Sequence, residues 1–129
     1  MEISSAKLTT CDVTPDGGIV RLNLVDVAGN PVSLQLPFDQ AGALAMTLPG
    51  LLTKAVKARD GSDSARFVFP LGDWVLERIA DCRALIVTLK TTDGFEASFG
   101  VPLDTCRSLA AALRREAIKV AAVVPLRAN

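Results

Sequence analysis

The sequence contains no histidine and no tyrosine. A Ser-His-Asp triad, a Cys-His dyad, a His-ligated metal and a tyrosine acid are therefore excluded by composition. Cysteine is scarce as well: Cys11, Cys82 and Cys106 are odd in number, far apart and without Cys-x-x-Cys spacing. Neither a closed disulfide framework nor a zinc knuckle is indicated, and free, partly buried thiols are expected. Charge of one sign is also missing, because 14 basic and 14 acidic side chains cancel. A nucleic-acid-binding domain usually carries a basic excess, so a polyanionic partner is not favoured. No apolar run approaches the roughly 18 residues of a membrane span. The start, from Met1 to Lys7, lacks the basic segment and apolar run of a signal peptide. The expectation is a soluble, cytoplasmic chain without membrane contact.

What is present is 129 residues, half of them apolar, which fits one compact domain and disfavours disorder. An internal repeat organises it. A shift of about 65 positions lays residues 20–54 over residues 85–119 without a gap. Leu24/Leu89, Gly29/Gly94, Pro37/Pro102, Asp39/Asp104 and Leu48/Leu113 are among the identities, so turn, breaker and cap residues stay in register with the apolar pattern. The repeat units run over approximately 1–59 and 65–121, with a polar linker at 59–65 and a short tail at 122–129 that leaves the helix before Pro125.

Each unit reads as a β-hairpin followed by a helix. Leu85, Val87 and Leu89 alternate with Ile86, Thr88 and Lys90, Asp93-Gly94 supplies a turn, and Phe95, Ala97, Phe99 and Val101 resume the alternation. Val20, Leu22 and Leu24, then Val32, Leu34 and Leu36, repeat this pattern, with Pro31 implying either a longer loop or a strand that starts at an edge. Pro37-x-Asp39 and Pro102-x-Asp104 end the hairpins and place a capping carboxylate at a helix start. The second helix is expected from about Asp104 to about Ala121. The first is expected to kink or divide at Pro49-Gly50. Residues 2–14 change alternation phase once, as a bulged strand or two short strands would. Residues 66–70 read as a short strand, and residues 73–80 as a strand in preference to a helix turn.

The fold class that follows is α+β: two pseudo-symmetric antiparallel β-hairpin-helix (β3-4-α) repeats, with the helices packed on one face of the sheet. The other face is mostly polar, interrupted by Ile19, Val25 and Ile86. These three, with Arg21 and Lys90, form the expected interaction surface, and the apolar excess points to a homodimer.

The order of elements, chiefly Arg66 to Ala121, resembles that of the PUR and Whirly-type single-stranded nucleic-acid-binding folds. The resemblance implies a sheet that offers basic and aromatic side chains to unstacked bases. It rests on no residue motif, and most of the aromatics (Phe38, Phe67, Phe69, Trp74, Phe95 and Phe99) fall on inward positions, so no binding residue is carried over.

Other constellations have ordinary explanations. The cations Lys54, Lys57 and Arg59, and Arg114, Arg115 and Lys119, complement the negative ends of helix dipoles. Asp60 and Asp63 lie in a polar linker that lacks a calcium-loop pattern. Cys106, near a helix start, is the one nucleophile with a physical argument, yet it faces the apolar stripe and has no His to activate it. No catalytic residue, metal ligand or cofactor is expected. A non-enzymatic, homodimeric interaction or assembly module is the leading functional expectation, with single-stranded nucleic-acid binding as the alternative.

Overall fold

Two units of the same make-up divide the chain between Phe67 and Val68. The structure, a computed structural model, describes residues 1–123; the tail expected to leave the helix before Pro125 lies outside the described residues. In the first unit β1 (Ser5–Val13), β2 (Ile19–Asp26) and β3 (Pro31–Pro37) precede α1 (Phe38–Asp60). In the second, β4 (Leu71–Arg78), β5 (Ala84–Thr91) and β6 (Glu96–Pro102) precede α2 (Leu103–Ala121). Each set of strands forms its own three-stranded antiparallel sheet, in the orders β1-β2-β3 and β4-β5-β6. The class is α+β, but two sheets stand where one was expected.

The turns explain why these strands stop where they do. In the first sheet Asp26 Oδ1 accepts from the amides of Ala28 and Asn30 at 3.0 and 2.7 Å, and Gly29 takes φ 89°. A side chain with Cβ resists that conformation. The matching turn in the second sheet closes with Thr91 N–H to Phe95 C=O at 2.8 Å and Gly94 at φ 97°. Pro31 is the first residue of β3, an edge strand, where a missing N–H costs no ladder bond.

The phase change in residues 2–14 is one strand with bulges. Leu8 faces Leu24 and Thr10 faces Asn23, so Thr9 is the extra residue, and its hydroxyl donates to the Asn23 carbonyl at 2.9 Å. The bulge moves Leu8 to the face that carries Cys11 and Val13. Residues 73–80 resolve in favour of strand through Arg78. Residues 66–70 do not form the expected strand. There Pro70 lacks a donor, the Phe67 amide donates to Thr53 Oγ1 of α1 at 3.2 Å, and Phe69 stacks on Phe95 with ring centroids 5.1 Å apart. These contacts replace a ladder.

Three helix expectations need correction. Asp39 and Asp104 do not cap: the helices begin one residue earlier, Pro37 and Pro102 occupy the N-cap positions, and no side chain caps either end. A backbone carbonyl does this work instead. Phe38 N–H donates to Gly18 C=O at 3.0 Å, and Leu103 N–H to Arg83 C=O at 2.9 Å. The two aspartates sit within the first turn, where a carboxylate favours the positive end of the dipole.

Secondly, α1 does not divide at Pro49 but runs on as one helix to Asp60, and Gly61 ends it in the left-handed region at φ 65°. Thirdly, the helices do not cover the sheets. No residue of α1 or α2 is buried. Their sheet contacts are to β3 and β2, and to β6 and β5, leaving β1 and β4 untouched among the described residues. The reason is the joint: strand and helix meet at a single proline, so no linker exists with which the chain could reverse across the sheet.

Candidate interaction surface

Residues directly opposite one another in an antiparallel pair point to the same side, so the register defines the faces. On one side of the first sheet Val13, Val20 and Leu36 form a row. The next row is Cys11, Leu22 and Leu34, and the bulge brings Leu8 into line with Leu24 and Val32. No charged or amide side chain stands among these nine positions. The second sheet has Trp74, Leu89 and Ala97, then Leu76, Val87 and Phe99, then Arg78, Leu85 and Val101. One cation at the end of β4 is its only charge in those rows.

Within its own unit neither apolar face is covered by the helix. Leu8 is 58% exposed, Leu34 48%, Trp74 58% and Phe99 52%. The central strands are only half-buried, and no apolar side chain among the described residues reaches full burial. The helices add Leu48, Leu109 and Leu113 to the exposed set. Monomeric proteins rarely leave contiguous apolar patches beyond a few hundred Å².

The opposite faces are polar and internally paired. Asp12, Arg21 and Gln35 form one row, and Arg21 Nε lies 2.6 Å from Asp12 Oδ1. Asn23 donates to Thr10 Oγ1 at 2.9 Å. In the second sheet Lys90 lies between Asp73 and Glu96. Thr88, with 6% of its surface exposed, shares a hydrogen bond of 2.7 Å with the Ser98 hydroxyl.

The residues expected to form an interaction surface all fall on these polar faces. Ile19, Arg21 and Val25 share one side of β2, while Ile86 and Lys90 share one side of β5. All five are half-buried. The expectation of an interaction surface there follows from assigning the apolar faces to the helices; alternation identifies a face and does not show what covers it.

Other candidates disperse. Cys11 and Cys82 are exposed and not partly buried as expected, while Cys106 is half-buried and donates its thiol to Val101 C=O at 3.4 Å. Arg114, Arg115 and Lys119 border a hollow of about 560 Å³ along α2 with Ala110, Ala111 and Ile118, and Lys119 pairs with Glu116 at 3.1 Å. Among the described residues no group of three or more Cys, Asp or Glu is placed to hold a metal ion. No described helix is long and apolar enough to cross a membrane.

Two carboxylates are tuned by local bonds. Asp16 is held below its ordinary range chiefly by the Gly18 amide, with help from the Thr14 hydroxyl. Asp93 is held down chiefly by the Thr91 hydroxyl. Both lie in turns. No protein-family model, curated protein or solved structure matches the chain.

Proposed function

We propose that this protein is a non-enzymatic assembly module whose folded form contains more than one copy of the chain. One observation carries the reading: no apolar side chain among the described residues is buried, although half the sequence is apolar. Folding must offset roughly 1–2 kcal/mol of backbone entropy per residue, and apolar burial is the main term available to do so. Two open three-stranded sheets with unpartnered helices do not supply it. A partner surface does.

Zero net charge also means that two copies do not repel one another.

The duplication belongs to this proposal. Strands β2 (Ile19–Asp26) and β5 (Ala84–Thr91), and helix starts at Phe38 and Leu103, keep the spacing of the repeat. Two copies of one β3-α element would give each chain two apolar sheet faces of the same design.

Sedimentation equilibrium tests the reading. A discrete oligomer at micromolar concentration is expected, and a folded monomer under those conditions rejects it.

Single-stranded nucleic-acid binding remains a second reading because Trp74 and Phe99 lie exposed on one sheet face, as a base-stacking platform requires. Balanced charge weighs against it. Titration of a labelled oligonucleotide at low salt decides, since absence of binding there removes the electrostatic term as well as the stacking one.

A further inference from the structure

We infer that the Asp60-Gly61 step, where α1 ends, is a site of spontaneous backbone modification at which isoaspartate forms in the folded protein. Three Asp-Gly steps occur in the chain, at Asp16, Asp60 and Asp93. The chemistry open to each is the same. The glycine amide nitrogen attacks the carboxyl carbon of the protonated aspartate, a C–N bond forms, and the carboxyl OH leaves as water with the amide proton. Water then opens the succinimide ring at either carbonyl. One opening restores aspartate; the other leaves isoaspartate, with the main chain routed through the former side chain and longer by one methylene. No oxidant or cofactor is needed, and glycine has no Cβ to hinder the attacking nitrogen.

Ring closure requires a carboxyl group that can turn onto the next amide, and two of the three are held away from it. Asp16 Oδ1 accepts from the Thr14 hydroxyl at 2.7 Å and from the Gly18 amide at 3.0 Å. Asp93 Oδ1 accepts from the Thr91 hydroxyl. The same bonds favour the ionised form of both carboxyls over the protonated form that reacts. Asp60 is exposed, and its carboxylate has no hydrogen-bond or ion-pair partner among the described residues.

The attacking amides differ less in their bonds than in what those bonds hold together. Gly17, Gly61 and Gly94 donate to the carbonyls of Thr14, Lys57 and Thr91 at 2.8, 2.9 and 3.2 Å. Asp16 and Asp93 lie in the turns that join β1 to β2 and β5 to β6, so freeing their glycine amides disturbs a hairpin. The Gly61 bond closes the last turn of α1, and helix ends fray, so it opens without breaking a ladder. Conversion would then cost α1 this bond, because the added methylene moves Gly61 out of reach of Lys57 C=O.

The test ages the folded full chain at neutral pH in water enriched in oxygen-18, beside a guanidinium-denatured sample, and maps isoaspartate in both by peptide mass spectrometry. In the denatured chain the three steps should convert at similar rates. In the folded chain Asp60 should convert first, about tenfold or more faster than Asp16 or Asp93, the bias that one hydrogen bond to a charged group imposes. Conversion of any other residue ahead of Asp60 overturns the inference, as does an Asp60 that stays unconverted while the denatured chain reacts. Thr91→Val, which releases the Asp93 carboxylate, should speed conversion at Asp93 and leave Asp60 unchanged. Should its circular dichroism show an unfolded chain, Thr14→Val is read instead, at Asp16. An unchanged rate at the released aspartate rejects the inference, because the carboxylate bonds would then not be what separates the three steps.

Discussion

Arg21 Nε donates to Asp12 Oδ1 at 2.6 Å across β1 and β2, on the side of the sheet opposite Leu22 and Cys11. Both partners are substantially exposed, at 40% and 47% of their side-chain surface. Solvent screening then limits an ion pair to about 0.2–1 kcal/mol. A double-mutant cycle with Arg21→Ala and Asp12→Ala, read by urea denaturation, should give a coupling in that range that shrinks as salt is added.

Thr88 and Ser98 should behave differently, because Thr88 is the one buried polar residue described. Ser98→Ala strands the Thr88 hydroxyl and should cost about 1–3 kcal/mol. Thr88→Val combined with Ser98→Ala removes both groups and should cost less than Ser98→Ala alone. Chemical denaturation of the three variants checks the ordering. A double variant weaker than the single would show that the hydroxyl pair contributes more than its desolvation.

The turn carboxylates set a pH dependence. A carboxylate whose pKa is lower in the folded state binds its proton less tightly there than in the unfolded chain. The stabilisation is thus complete above the ordinary carboxylate value of 3.8 and is lost as pH falls through the folded-state value. NMR titration of the Gly18 and Phe95 amides should report midpoints below 3.8 for Asp16 and Asp93. Thr91→Val should raise the Asp93 midpoint, since the threonine hydroxyl is the first cause of its depression.

Two backbone substitutions should act with opposite signs. Pro49→Ala restores an N–H to the interior of α1 and lets Ala45 C=O accept it, so unit stability should rise by about 1–3 kcal/mol. Gly72→Ala would set a Cβ 3.0 Å from Thr92 Cγ2, 3.1 Å from its N and 3.2 Å from its Cα. Backbone atoms cannot step aside, and overpacking of this kind costs about 1–3 kcal/mol. Urea midpoints measured at one protein concentration compare them.

If assembly supplies the missing core, the thermal midpoint must rise with protein concentration, because association is linked to folding by mass action. Calorimetry over a hundredfold range of concentration, about the span needed for a clear shift, should show the rise. A constant midpoint would contradict assembly-coupled folding.

Much of the local structure is legible in the residues, and the reason is that turns and alternation are local. Asp93-Gly94 marks a turn because glycine alone accepts φ 97° without strain, and the phase change near Thr9 is one of the two bulges of β1. The rest depends on contacts that no short window contains. Asp39 looks like a cap, yet the Gly18 carbonyl reaches the helix first amide, a bond that spans twenty residues of chain between Gly18 and Phe38. Phe67 and Phe69 have the composition of a strand, but Thr53 and Phe95 engage them instead. The largest misreading concerned coverage. Leu22 and Leu34 alternate as a buried face does, but alternation within two strands does not show what lies over them.

The strand orders β1-β2-β3 and β4-β5-β6 join only neighbours in the chain, and each helix follows its last strand directly. Such local pairing closes short loops and gives fast folding. The strands and helix of each unit can therefore pair early, the first while the second is still being synthesised. If a partner surface is needed to complete the core, that later step is bimolecular and its pace falls with dilution. On that reading the interval between the two steps leaves open edges and bare leucine rows in solution together, and the abundance of the chain during synthesis governs whether it finds its own kind or an aggregate.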